Sequence, residues 1–326
     1  MPADSAEPQT AAAMADYYGR LERANLAPLW ESLAALAPPQ PRPQARPFKW
    51  AYGDVRAHLL EAGRRISAEQ AERRVMVLAN PTAAARLQAN DTLYAGLQLI
   101  LPGETARPHR HTQAALRFVL EGEGAHTTVN GQRVQMHPGD FIITPAWSWH
   151  EHGGGDEPVI WLDGLDVGLV SFLHAEFREE PDEPPPQGEE GTVAWPYAEA
   201  RAELERRRAA GELDLWHGVR LDYRHPDGRP AMATLGASLT LLPGGFSGRP
   251  YKSTDGAVAV LVEGRVEAQA GGETFALRPG DILALPGWTP YRFKALQESV
   301  MFSFCDQPAH QALGLWREWR SEAEAG

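Results

Sequence analysis

An internal repeat constrains the fold of this chain more than any other feature. Residues 108–122 (PHRHTQAALRFVLEG) parallel residues 250–264 (PYKSTDGAVAVLVEG), which lie 142 residues later. Residues 138–147 (PGDFIITPAW) parallel residues 279–288 (PGDILALPGW) at an offset of 141. Both copies consist of short strand-like runs separated by Gly, Asn and Pro, which is typical of an all-β sandwich or barrel. The repeat therefore predicts a mainly β protein with two equivalent barrels.

The segments around the repeat predict the remaining domains. Helical spacing of apolar residues runs from 11 to 36, interrupted at Pro28, and further helices are expected near 54–73, 197–210 and 308–321. An acidic, proline-rich stretch at 178–196 is typical of a linker, and the first ten residues resemble a loose tail. We therefore expect an N-terminal helical arm (1–73), a first barrel (74–177), a linker and helix (178–215), a second barrel (216–306) and a C-terminal helix (307–326).

Charge and cysteine content exclude several function classes. The net charge of -12 opposes binding to nucleic acid or to anionic membrane surfaces. No apolar run has the length of a membrane span, and no basic-then-apolar leader opens the sequence. The single cysteine, Cys305, excludes an internal disulfide and a cysteine-based zinc site. These features favour a cytoplasmic protein that acts on a small molecule.

A cluster of histidines in the first repeat predicts a metal site. Six of the eleven histidines lie between residues 109 and 152. His109 and His111 are two apart in a strand-like segment, so both imidazoles are expected on one face. His150 follows another strand-like run, which an antiparallel barrel can place beside the first.

The second repeat has lost these histidines together. Tyr251 stands in place of His109, Ser253 in place of His111, and Tyr291 in place of His150, while the framework glycines and prolines remain. A matched loss indicates a shared role, so the three histidines are predicted metal ligands in the first barrel alone. The residue types leave iron, zinc, manganese and nickel open: zinc would suit hydrolysis, and iron with open positions would suit a chelating anion and O2.

These residues resemble the two motifs of the cupin superfamily. The first motif, G-x5-H-x-H-x3-E-x6-G, matches from Gly103 to Gly122, with Ala115 at the glutamate position. The second, G-x5-P-x-G-x2-H-x3-N, matches Gly139, Pro145 and His150, whereas Trp147 and Gly154 replace the glycine and the asparagine. Because the glutamate is missing, the chain resembles the three-histidine bicupins more than the four-ligand cupins. The resemblance implies two jelly-roll barrels.

The chain closely resembles gentisate 1,2-dioxygenase and its relatives acting on salicylate and 1-hydroxy-2-naphthoate. The similar segments lie along nearly the whole chain, at residues 25–31, 91–103, 109–122, 161–166 and 312–317. The resemblance implies one Fe(II) per chain in the first barrel and ring opening of gentisate by O2 to maleylpyruvate. It also implies a homo-oligomer, commonly a tetramer, with a small aromatic hydroxy acid as the substrate.

Further pocket residues follow from strand parity and from this resemblance. Arg117 has the parity of His109 and His111 and is expected to contact the substrate carboxylate or the bound dioxygen. Arg73 and Arg74 precede the strand-like run that begins at Val75, and one of them is a second candidate to bind the carboxylate. Gln98 is a candidate to form a hydrogen bond with the substrate. The full set of predicted substrate and catalytic residues is Arg117, Gln98, Tyr94, Gly96, Arg73, Arg74, His152, Asp163, Trp147 and Trp149. Of these, His152 is either a proton relay oriented by Asp163 or Asp166, or a solvent-exposed residue at the barrel mouth, and the two tryptophans are candidate pocket walls.

Alternatives remain at this stage. Salicylate, 5-substituted salicylates and 1-hydroxy-2-naphthoate would chelate a metal as gentisate does, and pocket shape, which decides between them, is read poorly from sequence. A metal-dependent cupin isomerase or hydrolase is a second enzyme class. A non-catalytic binding protein is the third possibility, and the intact histidine set counts against it.

Overall fold

The protein is described here by a computed structural model that covers residues 10–82, 87–182 and 193–322. Residues 1–9 of the expected tail and 183–192 of the expected linker lie outside the described residues. The chain divides into two compact units, Met1–Arg42 and Pro43–Gly326. None of the described helices is long and apolar enough to cross a membrane.

The first unit contains two helices. Helix α1 (Ala11–Arg23) begins after Thr10, whose side chain accepts a hydrogen bond from the Ala13 backbone N–H. Helix α2 (Leu29–Leu36) begins directly after Pro28, which supplies the extended backbone of the N-cap. The proline thus separates two short helices, as the sequence predicts, because its ring is incompatible with a helix interior.

The second unit holds the remaining helices and all described strands. Its helices are α3 (Tyr52–Arg65), α4 (Ala68–Ala71), α5 (Val167–Phe172), α6 (Tyr197–Ala209) and α7 (Gln307–Ala312). Strands β1 to β11 are β1 (Phe48–Trp50), β2 (Val75–Val77), β3 (Tyr94–Ile100), β4 (Thr105–His111), β5 (Ala115–Glu121), β6 (His126–Val129), β7 (Gln132–Gln135), β8 (Phe141–Thr144), β9 (His150–Gly153), β10 (Val159–Leu165) and β11 (Arg178–Glu179). Strands β12 to β22 are β12 (Ala194–Trp195), β13 (Val219–Asp222), β14 (Gly236–Leu242), β15 (Tyr251–Ser253), β16 (Ala257–Glu263), β17 (Val266–Ala270), β18 (Glu273–Leu277), β19 (Ile282–Leu285), β20 (Tyr291–Ala295), β21 (Ser299–Cys305) and β22 (Glu318–Arg320).

The strands form two barrels of two antiparallel sheets each, which confirms the predicted fold class. The sheets of the first barrel have the orders β12-β8-β5-β10-β3-β2 and β11-β4-β9-β6-β7. The sheets of the second barrel have the orders β1-β19-β16-β21-β14-β13 and β18-β17-β20-β15-β22. The two orders match strand for strand, as the sequence repeat requires.

Each barrel takes one edge strand from the segment that precedes the other barrel. Strand β1, which precedes the first barrel, pairs with β19 of the second through Phe48 opposite Ala284 and Trp50 opposite Ile282. Strand β12, which precedes the second barrel, pairs with β8 of the first. The exchange covers an open edge of each large sheet with backbone from the other half of the chain.

The two Pro-Gly-Asp turns anchor the helices that follow the exchanged strands. Asp140 accepts a hydrogen bond from the backbone N–H of Tyr197 at the start of α6, at 2.9 Å. Asp281 accepts the equivalent bond from Tyr52 at the start of α3, at 3.0 Å. Each tyrosine ring packs on the glycine of its turn, where a Cβ would meet ring atoms at 2.5 Å on Gly139. The repeated glycine is therefore required by close packing of the ring, as well as by its positive φ.

Three parts of the chain differ from the predicted elements. The helix expected at 54–73 is divided into α3 and α4, because Ile66 is extended and Ser67 starts a new capping box. The helix expected at 308–321 ends at Ala312, shortly before Gly314, whose φ is +71°. Residues 318–320 then form β22 and pair with β15, because this sheet edge offers unpaired backbone groups. Parts of the predicted linker are likewise strands, since β11 pairs with β4 and β12 with β8.

Aromatic side chains join the two barrels into one hydrophobic core. Phe118 of β5 and Phe302 of β21 stack with ring centroids 4.1 Å apart, and both are almost completely buried. Phe141 of β8 stacks on Tyr223 at 4.5 Å and also contacts Phe302. Because the large sheets share this core, the barrels are expected to unfold together.

Phe118→Ala tests this expectation. Loss of the buried ring should lower the free energy of unfolding by about 3–5 kcal/mol while keeping a single transition, measured by equilibrium urea denaturation. The matched control is Phe172→Ala, because Phe172 is 81% exposed and its ring contributes little to the core. Two separate transitions in the variant, or a loss below about 1 kcal/mol, would contradict a shared core.

Candidate metal centre

Three histidines meet inside the first barrel. His109 and His111 lie on β4, and His150 lies on β9 directly opposite His109 in the antiparallel register. Their candidate ligand nitrogens all lie within 4.8 Å of one another. In the described part of the chain this is the one group of three or more His, Cys, Asp or Glu residues with such geometry. The alternation of β4 and its pairing with β9 thus create the site.

All three imidazoles are held neutral. Burial lowers the pKa of His109 to about 3 and that of His111 to about 4, and nearby guanidinium groups add to both shifts. Burial also lowers the pKa of His150 well below its usual value. The Nδ1 atom of His111 lies 2.8 Å from the Gln113 carbonyl, and that of His150 lies 3.0 Å from the Ser148 carbonyl.

A carbonyl oxygen only accepts hydrogen bonds, so Nδ1 of His111 and of His150 carries the proton. Their Nε2 lone pairs are then free for a cation, which is the usual arrangement of metal-binding histidines. The third ring differs, because Nδ1 of His109 accepts a hydrogen bond from Nη2 of Arg73 at 2.7 Å and lies farther, at 3.3 Å, from the Arg107 carbonyl. The donor set therefore fits a divalent metal with three neutral nitrogen ligands.

A buried arginine lies beside the triad. Arg117 donates from Nη1 to Thr144 Oγ1 at 2.6 Å and from Nη2 to Nε2 of His152 at 3.2 Å. Its Nε is 3.8 Å from Asp163, whose carboxylate also accepts a hydrogen bond from Trp161. Burial lowers the pKa of Arg117 to about 10 and raises that of Asp163 to about 6. His152 is therefore oriented by Arg117, and Asp163 acts on it only through that arginine.

An open cavity of about 270 Å³ surrounds the triad and contains most of the predicted pocket residues. This volume is close to the lower end of the range of small-molecule sites. Tyr94 and Gln98 of β3 line the cavity. Gly96 lies between them on the same face, where a Cβ would stand 2.6 Å from Val75 and 3.0 Å from the Tyr94 hydroxyl. Glycine at this position therefore leaves room for the tyrosine.

The structure separates the two adjacent arginines, which the sequence does not. Arg73 lines the cavity, with Nη2 2.7 Å from Nδ1 of His109. Arg74 is buried elsewhere, where it donates to both oxygens of Glu104 at 2.8 Å and to the Ile66 carbonyl. The prediction of Arg74 as a pocket residue is wrong, because consecutive residues at the start of a strand point to opposite faces.

The two tryptophans do not line the cavity either, contrary to prediction. Trp147 and Trp149 stack on the guanidinium of Arg110, whose central carbon is 4.4 Å and 4.7 Å from their ring centroids. Arg110 lies between His109 and His111 on β4 and therefore faces away from the metal site. The tryptophans support the outer face of β4 and do not wall the pocket.

Two residues at the cavity mouth were not predicted. Arg178 of β11 lines the cavity and forms an ion pair with Glu72 at 2.9 Å. Arg178 lies in the segment read as a linker, and it reaches the site only because β11 pairs with β4 opposite His111. Strand pairing between distant segments has no local sequence signal, so no motif could have identified it.

The cavity has a positive local charge despite the acidic chain. Three guanidinium groups line it, from Arg73, Arg117 and Arg178, against the carboxylates of Glu72 and Asp163. A divalent metal on neutral imidazoles would add two further positive charges. The site thus attracts a small anion that the net charge of -12 would otherwise repel.

Comparisons with known proteins agree with this architecture. The cupin domain family model matches residues 96–166 and 237–304, one match in each barrel. A gentisate 1,2-dioxygenase of Aquipseudomonas alcaligenes is 39% identical over 333 residues, covering 94% of this chain and 96% of the relative. A 1-hydroxy-2-naphthoate 1,2-dioxygenase of Nocardioides sp. is 33% identical, covering 85% of this chain and 80% of the relative.

A solved structure matches the complete fold. Salicylate 1,2-dioxygenase of Pseudoaminobacter salicylatoxidans, in a structure of its adducts with gentisate, superimposes with a TM-score of 0.88. Sequence identity is 28%, and the match covers 97% of this chain and 96% of the other. The sequence identity over nearly the whole chain shows that the chain belongs to the gentisate 1,2-dioxygenase family.

Proposed function

We propose that the protein is an Fe(II)-dependent ring-cleaving dioxygenase that converts gentisate and O2 to maleylpyruvate. The observation that carries the proposal is the set of three neutral histidines in a cationic cavity, in a chain of this family. The substrate, the metal and the roles of the individual side chains are parts of the proposal.

His109, His111 and His150 would hold the metal. At the position where four-ligand cupins have a glutamate, Ala115 lines the cavity and leaves space beside the triad. A hydroxy acid could occupy that space with its carboxylate and adjacent hydroxyl, supplying the negative charge that a protein carboxylate would otherwise supply. When bound, Fe(II) would supply the one-electron chemistry that couples oxidation of the ring to reduction of O2.

The arginines are suited to hold the substrate. Arg73 lies beside His109 and can form a charge-assisted hydrogen bond with a carboxylate that approaches the metal. Arg117 is fixed by Thr144 and Asp163, so its position costs no reorganisation when negative charge develops near it. Both groups would orient an aromatic anion relative to the triad.

Polar side chains on β3 and β9 would complete the pocket. Burial raises the pKa of Tyr94, so its phenol stays protonated and can donate a hydrogen bond to a ring substituent. Gln98 is 6% exposed and offers an amide to the same region of the cavity. His152 accepts from Arg117 through Nε2, so its Nδ1 carries the proton, and that atom is buried without a hydrogen-bond partner among the described residues.

Gentisate is proposed over the other hydroxy acids because of the relatives. The relative named for gentisate is 39% identical, and the one named for a two-ring substrate is 33% identical. The hydroxyl para to the chelating one makes the gentisate ring easier to oxidise than that of salicylate. The cavity residues would then discriminate through contacts to this second hydroxyl.

Oxygen uptake tests the substrate assignment. Protein reconstituted with Fe(II) without oxygen should consume O2 rapidly with gentisate and more slowly with salicylate, 5-substituted salicylates or 1-hydroxy-2-naphthoate. His111→Ala should abolish uptake, because it removes a metal ligand. Faster uptake with a monohydroxylated ring would move the protein to the salicylate branch. No uptake with any substrate, with iron bound, would favour an isomerase or hydrolase.

Metal content tests the triad separately from activity. His150→Ala should lose at least about 90% of the iron retained by the wild type after gel filtration, since two neutral imidazoles bind a divalent ion far less tightly than three. His126→Ala is the matched control, because His126 lies on the neighbouring strand β6 outside the triad. Iron retained in His150→Ala, or lost in His126→Ala, as measured by mass spectrometry, would contradict the assigned ligands.

The adjacent arginines give a paired prediction. Arg73→Met should raise KM for gentisate by roughly 10-fold or more, the loss of one charge-assisted hydrogen bond, with little change in the free energy of unfolding. Arg74→Met should leave KM unchanged and reduce stability by about 1–3 kcal/mol, because it leaves Glu104, which is partly buried, without its ion-pair partner. Steady-state kinetics and urea denaturation measure both, and a reversed pattern would contradict the placement of these residues.

A further inference from the structure

The second barrel contains a polar cavity of its own. It lies where the triad lies in the first barrel and has a volume of about 70 Å³. Tyr251, Ser253 and Tyr291, which replace the three histidines, all line it. The remaining lining residues are His217, Arg220, Thr240, Asp255, Ala257, Ala259, Leu285, Pro286, Thr289, Phe293, Met301, Ser303, Cys305 and Gln307. Loss of the metal ligands has therefore not turned this interior into apolar packing.

The arginine that lines the second cavity lies on a different strand from the buried arginine of the first cavity. Arg220 of β13 pairs with Thr240, whereas Val75 of β2 pairs with Gln98 at the equivalent register of the first barrel. An arginine thus occupies the place of an apolar residue. Conversely, Ala259 is the third residue of β16, where β5 has Arg117. The second barrel has lost one cation and gained another, which simple decay of the first site does not explain.

The guanidinium of Arg220 keeps hydrogen-bonding capacity for a ligand. Its Nε donates to Asp222 at 2.8 Å, and the same carboxylate also lies 3.6 Å from Arg224. Two cations therefore share one anion, so Asp222 alone does not neutralise Arg220. Neither terminal nitrogen of Arg220 has a hydrogen-bond partner among the described residues. A guanidinium that lines a cavity in this way is suited to bind a carboxylate in a bidentate manner.

An acceptor and aromatic rings complete the cavity. Asp255 lines it and accepts a hydrogen bond from Trp316 at 2.9 Å, which leaves further lone pairs on its carboxylate. Tyr251 and Tyr291 meet edge to face at 5.6 Å, and Phe293 lies 5.5 Å beyond Tyr291. The interior thus offers a cation, an anion and an aromatic wall to one small molecule.

We propose that the second barrel binds a small carboxylic acid that also carries a hydroxyl group, at a site separate from the metal centre. The carboxylate would pair with Arg220, the hydroxyl would donate to Asp255, and an apolar or aromatic body would contact Phe293, Met301 and Leu285. The site does not depend on the proposed dioxygenase function, because none of its residues belongs to the first barrel. Through the shared core, an occupant would stabilise both barrels.

Calorimetric titration of the iron-loaded protein with 3-hydroxybenzoate, without oxygen, tests the proposal. The probe has a carboxylate and a hydroxyl but cannot chelate a metal through adjacent groups. We expect a binding event that Arg220→Met weakens by roughly 10- to 100-fold, the loss of a charge-assisted pair. Arg224→Met is the matched control: it removes a charge beside the same Asp222 without altering the cavity lining, so it should change affinity less than about 3-fold.

A second pair of variants keeps the test decisive if Arg220→Met does not fold. Ala259→Leu fills the cavity without removing a charge and should abolish the same binding event. Arg117→Met, in the first barrel, should leave it unchanged. Two results would overturn the proposal: no binding of 3-hydroxybenzoate at millimolar concentration, or binding that Arg117→Met removes and that neither Arg220→Met nor Ala259→Leu affects.

Discussion

The exchange of edge strands between the barrels is the constraint on which the rest of the structure depends. Strand β12 pairs with β8, and β8 leads directly into the turn before β9, which carries His150. Thr144, the last residue of β8, accepts the hydrogen bond that fixes Arg117. The second half of the chain therefore holds two elements of the metal site in place. The second barrel contributes to the first site through this pairing and through the shared aromatic core, although it lacks the ligands.

The metal centre places histidines beside guanidinium groups and a cation site, where a protonated imidazole would be repelled. Three imidazoles, two buried or half-buried guanidinium groups and a metal cation would share one cavity, and burial is the main cause that keeps the imidazoles neutral. Asp163 offsets part of the charge of Arg117, and the anionic substrate would offset the rest. The arrangement is therefore complementary to an aromatic hydroxy acid, and an acidic chain can bind such an anion only through a local field of this kind.

The two cavities show how one barrel can support different sites. The backbone pairing is the same, yet the side chains at equivalent register positions differ: histidines become tyrosine and serine, and an arginine moves from β5 to β13. Interior positions of a small barrel all face one point, so a few exchanges change the chemistry without changing the fold. The proposed carboxylic acid site in the second barrel is an instance of this.

The sequence by itself determined the two barrels and the three candidate ligands, because repeats, strand alternation and turn residues are local patterns. Arg117 lies on β5, in the other sheet of the barrel from His109 and His111, so the packing of the two sheets brings it to the triad and alternation along one strand does not. Alternation does not reveal which face of a strand looks into the cavity when the neighbouring element is unknown, so Arg73 and Arg74 were indistinguishable and Trp147 and Trp149 were misplaced. Only the tertiary structure decided these positions, together with Arg178 and the strand exchange. Each of them depends on pairing between segments far apart in the chain, and such pairing leaves no local sequence pattern.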